Sequence, residues 1–119
     1  MGRVAMHELG IMQSPLAAVL DQARTHQAAR VNRIVLRIGR LAGVDPEALA
    51  FAFDVVTKDT PAAGAALTID HVPARARCTH CAEDFEVESG WIFTCPLCSR
   101  LSGELVQGRE LELSRIEMT

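Results

Sequence analysis

Tyrosine is absent from this 119-residue chain, and tryptophan occurs once beside four phenylalanines. With hydrophobic residues at 49% and aromatics at only 4%, any core must be built mostly from aliphatic side chains. No uncharged run approaches the ~18 residues that a membrane-spanning helix requires. An excess of positive charge is missing too: the formal net charge is −3, which argues against a role dominated by nucleic-acid phosphate contacts. There is no low-complexity tract, and a charged fraction of 23% is ordinary for a globular chain, so disorder is not expected. The N-terminus makes a poor targeting signal. Arg3 is followed too soon by His7 and Glu8, and the later apolar run is broken by Gln13, Ser14 and Pro15. Met1-Gly2 has the look of a myristoylation start, but position 6 is Met rather than Ser or Thr. The expectation is a soluble, cytoplasmic protein with no membrane and no nucleic acid as partner.

What the chain does have is four cysteines, placed as Cys78-Thr-His-Cys81 and Cys95-Pro-Leu-Cys98. A short Cys-x-x-Cys loop bends back on itself and presents two thiolates to one ion. Four soft thiolates in a tetrahedron select zinc, with iron as second choice, over a redox dithiol or a pair of disulfides. The stretch 74–107 that carries them is too short for a stable core without help. Zinc binding supplies ~10–16 kcal/mol to the folding of such small domains. Residues 83–87 and 91–94 are expected to form a hairpin between the pairs, turning at Ser89-Gly90. A closed four-sulfur site has no open position for substrate, so its expected role is structural. Arg75, Arg77 and Arg100 lie near it, but Glu83, Asp84, Glu86, Glu88 and Glu104 share the module, and a phosphate-binding face is not expected.

Periodicity supplies the rest. Met12, Leu16, Val19, Leu20 and Ala23 form one face of an amphipathic helix. Ser14-Pro15 suits its N-cap and first position, although proline is tolerated throughout a first turn and the helix could begin a few residues earlier. Its end falls near His26 to Ala29. The residues around Ala5 to Glu8 leave room for a short strand ahead of it. Ile34, Leu36 and Ile38 alternate with Arg33, Val35 and Arg37 as in a half-buried strand. Asp45-Pro46-Glu47 starts a second helix, with Leu49, Phe53 and Val56 as its buried stripe. Phe51 and Phe85 also read as core. Residues 66–72 alternate again and Pro73 stops them. A last strand is expected over 110–116, with a slip between Leu113 and Ile116. The architecture expected is therefore α+β, with residues 1–73 and 108–119 as one domain and 74–107 inserted as a zinc-ribbon-like second.

The histidines are quieter. His26 sits near a helix C-terminus, where an imidazolium favours the dipole. His71 reads as a surface residue and His80, inside the first Cys pair, as exposed or adjacent to a filled tetrahedron. His7, beside Glu8, is most simply a solvated polar pair. Its chemistry is still suggestive, since an imidazole and deprotonated backbone amides make a planar nitrogen set of the kind nickel(II) and copper(II) favour. No Ser–His–Asp set, phosphate loop or catalytic carboxylate pair stands out, and no enzyme activity is expected.

Several of these segments together resemble one family. Met6-His7-Glu8-Leu9 resembles the opening of the HypA/HybF hydrogenase maturation nickel chaperones. The segments Ile38-Gly39-Arg40-Leu41-Ala42-Gly43-Val44 and Pro46-Glu47-Ala48-Leu49-Ala50-Phe51-Ala52-Phe53 look like that family's central parts, and the two Cys pairs and Gly108-Arg109-Glu110-Leu111 match as well. The resemblance implies a small two-helix-on-sheet nickel-binding domain and a zinc-binding domain. It implies delivery of Ni(II) to the large subunit of nickel–iron hydrogenase, together with a maturation GTPase, and in some organisms a role with urease. Nickel would be held at His7 with nitrogens around Met6 to Glu8, and zinc at Cys78, Cys81, Cys95 and Cys98. A monomer or weak homodimer is expected.

The chain departs from the family pattern in three places. Five residues, Met1 to Ala5, precede the Met-His-Glu motif. Either Met6 is the true start and its α-amine a nickel donor, or the site uses amide nitrogens. Gly10 stands where serine is usual, and Ala82 and Ser99 follow the Cys pairs where some members have histidines, leaving His80 as the candidate substitute. The rival reading is a zinc-ribbon adaptor that binds protein or nucleic acid without metal transfer; a rubredoxin-like iron carrier is a weaker one.

Overall fold

The computed structural model describes residues 3–87, 93–102 and 104–119, with side chains from His7 onward. In chain order the elements are α1 (Arg3–Thr25), β1 (Val31–Gly39), α2 (Pro46–Val56), β2 (Ala66–Val72), β3 (Ala74–Cys78), β4 (Glu83–Val87), β5 (Phe93–Thr94), β6 (Leu101–Ser102), β7 (Glu104–Gln107) and β8 (Leu111–Met118).

α1 is longer than its capping residues suggest. It runs through Ser14-Pro15, with Pro15 inside the helix, and it occupies 5–8, where a short strand had room. The reason is burial. Met12, Leu16, Val19 and Ala23 are all buried, and Met12 belongs to the turn before Pro15, so its packing offsets the ladder bond that proline cannot make. The helix closes at Gln27, whose φ of 54° lets Ala28 N–H reach the carbonyl of Ala23 at 2.8 Å. Asp45 caps α2 as its sequence predicts, its carboxylate accepting from the N–H groups of Glu47 (3.0 Å) and Ala48 (3.4 Å). α1 packs on α2. Leu49 and Phe53 are buried and Val56 is half-buried, but Phe51 faces solvent; it lies two positions from Phe53, on another side of a 3.6-residue helix.

β1 is central in a three-stranded sheet of order β2-β1-β8. Ile34, Leu36 and Ile38 are its buried face. In β8, Leu113 and Ile116 are both half-buried although they are three positions apart. A second sheet has the order β4-β3-β7, and among the described residues β5 pairs only with β6. The expected hairpin of 83–87 with 91–94 does not form among the described residues: β4 pairs antiparallel with β3, Ala76 opposite Phe85, while Phe93 and Thr94 pair with Ser102 and Leu101. Ser89, Gly90, Trp91 and Ile92 lie outside the described residues.

Two compact units divide the chain. The first comprises Met1–Leu36, Val44–Asp70 and Glu112–Thr119; the second comprises Arg37–Gly43 and His71–Leu111 and includes the whole of 74–107. The second unit has a small core of its own, Ala74, Ala76, Cys78, Phe85, Val87, Phe93 and Cys95, with Leu41 and Leu105 packed against it. No described helix is long and apolar enough to cross a membrane.

Candidate metal centres

The second unit brings its two cysteine turns together. Cys78 closes β3, Cys81 ends the turn after it, and Cys95 and Cys98 follow β5. Each turn is shaped by its own backbone. The N–H of Cys81 points at Cys78 Sγ (3.5 Å), and the N–H of Leu97 at Cys95 Sγ (3.4 Å). In the second turn, Ser99 N–H donates to the Cys95 carbonyl and Cys95 N–H to the Arg100 carbonyl, both at 2.9 Å. Immediately after each pair stands a residue in left-handed conformation, Ala82 (φ 56°) and Ser99 (φ 63°). Nothing in an alanine or a serine announces that geometry; a glycine would have.

The four donor sulfurs all lie within 4.8 Å of one another, and Cys78 Sγ is 3.5 Å from Cys98 Sγ. Tetrahedral zinc at about 2.3 Å from each sulfur sets the sulfurs about 3.8 Å apart, so the cluster fits that ion. Cys78 and Cys95 are buried and Cys81 and Cys98 half-buried, which closes the centre on most sides. The thiols also differ. The backbone N–H of Cys81, helped by neighbouring sulfurs, draws Cys78 from 9.0 down to about 7. The Cys98 thiol and burial push Cys81 up to about 12. At Cys98 the Arg100 backbone lowers the pKa, but burial and the contacts with Cys78 and Cys95 outweigh it and the net direction is up. Four sulfurs this close cannot all carry charge without a cation; the metal takes the place of their protons.

Arg77 pairs with Asp84 across β3 and β4 at 3.2 Å. His80 is exposed in the first turn, and among the described residues the donor cluster consists of the four cysteines alone. His26 bonds locally, its Nδ1–H donating to the Gln22 carbonyl at 2.9 Å, and His71 is exposed.

The other predicted site is in the first unit. Met6, His7 and Glu8 belong to α1; the side chain of Met6 lies outside the described ones. His7 is exposed, so its imidazole is open to solvent. Glu8 is not its solvated companion: it is 1% exposed, and its Oε2 has no hydrogen-bond partner among the described residues. Its position explains this, since Glu8, Met12, Leu16, Val19 and Ala23 follow one helical stripe and Glu8 extends the apolar face by a turn. A stripe drawn only through apolar residues misses it.

A family model described as hydrogenase/urease nickel incorporation, metallochaperone, HypA, matches residues 6–118. The chain belongs to the HypA family. A hydrogenase maturation factor HypA from Paracoccus denitrificans is 44% identical over 115 residues, covering 95% of this chain and 99% of its own. One from Chloroflexus aurantiacus is 40% identical over 112 residues, covering 94% and 98%. Among solved structures, the Ni metallochaperone HypA from Helicobacter pylori superposes with a TM-score of 0.64 at 24% identity, over 93% of this chain and 96% of that one. A further HypA solution structure gives a TM-score of 0.69 at 25% identity, over 96% and 97%. The HypA chain described here is thus a nickel metallochaperone of hydrogenase maturation with a four-cysteine metal-binding cluster.

Proposed function

We propose that the two metals are divided between the units: Cys78, Cys81, Cys95 and Cys98 hold structural zinc, and His7, with nitrogens around Met6 to Glu8, carries nickel(II) as cargo. The observation that carries this reading is the contrast in access. The four sulfurs converge in a largely closed cluster, whereas the His7 imidazole faces solvent. An ion that must be handed on needs a site a partner can reach; an ion that holds a fold does not. Imidazole and amide nitrogens suit nickel(II), and protons compete for both, so acidification favours release.

The chain acts in the cytoplasm as a carrier, not as an enzyme. Its partners are the maturation GTPase and the hydrogenase large subunit that receives the ion. Nickel titration of the zinc-loaded chain tests the assignment. His7→Ala loses nickel binding while keeping its zinc; unchanged stoichiometry and affinity in that variant refute the site. A chain beginning at Met6 binds more tightly than the full chain, because the Met6 α-amine becomes a donor.

A further inference from the structure

The start of α1 combines several features that work against a stable helix. Its first turn contains no acidic residue to favour the N-terminal end of the helix dipole. Gly10 follows, and a Cβ there would meet nothing within 4 Å. Packing does not call for a glycine, which only weakens the helix relative to alanine. Pro15 has no N–H for the carbonyl of Ile11, so one rung between the early turns and the remainder of α1 is missing. Glu8 is buried with Oε2 unpartnered among the described residues, a state that disfavours keeping this segment docked.

The same segment holds the donors assigned to nickel. Within a helix that begins at Arg3, the N–H groups of His7 and Glu8 point at the carbonyls of Arg3 and Val4. An amide nitrogen cannot donate that hydrogen bond and bind a metal at once, because the metal replaces its proton. Nickel capture through these nitrogens therefore requires the first turns to open.

We infer that residues 3–10 of α1 are a release arm. It is helical, with Glu8 in the core, when no nickel is bound. It unwinds to free the amides and Glu8 when nickel is captured at His7, the displaced protons passing to solvent. Gly10 and Pro15 are positioning residues: they touch no metal but set how readily the arm opens, and the apparent nickel affinity scales with the open fraction. The inference rests on the assignment of nickel to His7.

Circular dichroism and calorimetry with nickel(II) alone, on the full zinc-loaded chain, provide the test. Saturating nickel lowers the helical signal by an amount matching residues 3–10. Gly10→Ala raises the thermal midpoint and weakens nickel binding about fivefold, the equivalent of about 1 kcal/mol. Pro15→Ala weakens it further if it folds. Full nickel binding with unchanged helicity, or wild-type affinity in Gly10→Ala, overturns the release arm and leaves the His7 assignment standing. Wild-type nickel binding in His7→Ala removes both.

Discussion

Gly39 and Gly108 lie backbone against backbone, so that a Cβ on Gly39 would overlap the carbonyl group of Gly108 and come within 2.6 Å of Arg109 N. Gly108, at φ 127°, is itself pressed on Ala74, whose Cα would be 2.8 Å from an added Cβ. Hydrogen bonds lock the crossing: Gly39 N–H to the Glu110 carbonyl (2.8 Å), Leu41 N–H to the Gly108 carbonyl (2.7 Å) and Arg40 N–H to the Val72 carbonyl (2.9 Å). This explains why the Ile38–Val44 and Gly108–Leu111 segments belong together although they are far apart in the chain. Gly39→Ala is expected to cost about 3 kcal/mol or more, because the atoms in the way are backbone. Urea unfolding with zinc bound measures it, with Gly10→Ala, in open space, as the control that loses nothing.

Ala82 and Ser99 hold the same left-handed conformation at the same place after each cysteine pair. A side chain there strains the backbone by about 1–2 kcal/mol, and glycine relieves it at a smaller entropic cost. Ala82→Gly and Ser99→Gly are each expected to stabilise the zinc-bound protein by up to about 1 kcal/mol, read from the urea midpoint. A loss of stability in both would show that the side chains make contacts that outweigh the strain.

The thiols give the zinc-free, reduced protein a two-sided pH dependence. Cys78 is lowered from 9.0 to about 7, so its contribution to folding is full above pH 9 and fades as the pH falls toward 7. Cys81 is raised from 9.0 to about 12, so its contribution is full below pH 9 and fades as the pH rises toward 12. Stability should therefore climb between about pH 7 and 9 and decline above it. Thiolate ultraviolet absorbance should show an early ionisation near pH 7 that Cys78→Ala removes. Persistence of that step in the variant would assign it elsewhere.

Glu8 sits at the end of the stripe that Met12 continues, buried and with one oxygen unpartnered among the described residues. Glu8→Leu keeps the volume and removes the polar group, so it should stabilise the first unit by about 1–3 kcal/mol. Thermal unfolding checks this; a variant less stable than the parent would mean that the carboxylate is better satisfied than its surroundings indicate.

Local chemistry made much of this protein legible in its sequence. Asp45-Pro46-Glu47 announces α2 because capping involves neighbours along the chain. The alternation of Ile34, Leu36 and Ile38 announces β1, because side chains alternate between the faces of a strand. The spacing of Cys78, Cys81, Cys95 and Cys98 announces their convergence, because a short loop can hardly present two thiolates except together. Tertiary structure alone decided the rest. Pro15 stays within α1 because burial of Met12 on the turn before it outweighs a missing ladder bond. β4 pairs with β3 rather than β5, since strand partners are chosen by contacts distant in sequence. Glu8 is drawn into the core by the helical register it shares with Met12, and Ala82 and Ser99 turn left-handed because the sulfurs must converge. In each case the deciding energy lies between residues that have no local reason to meet.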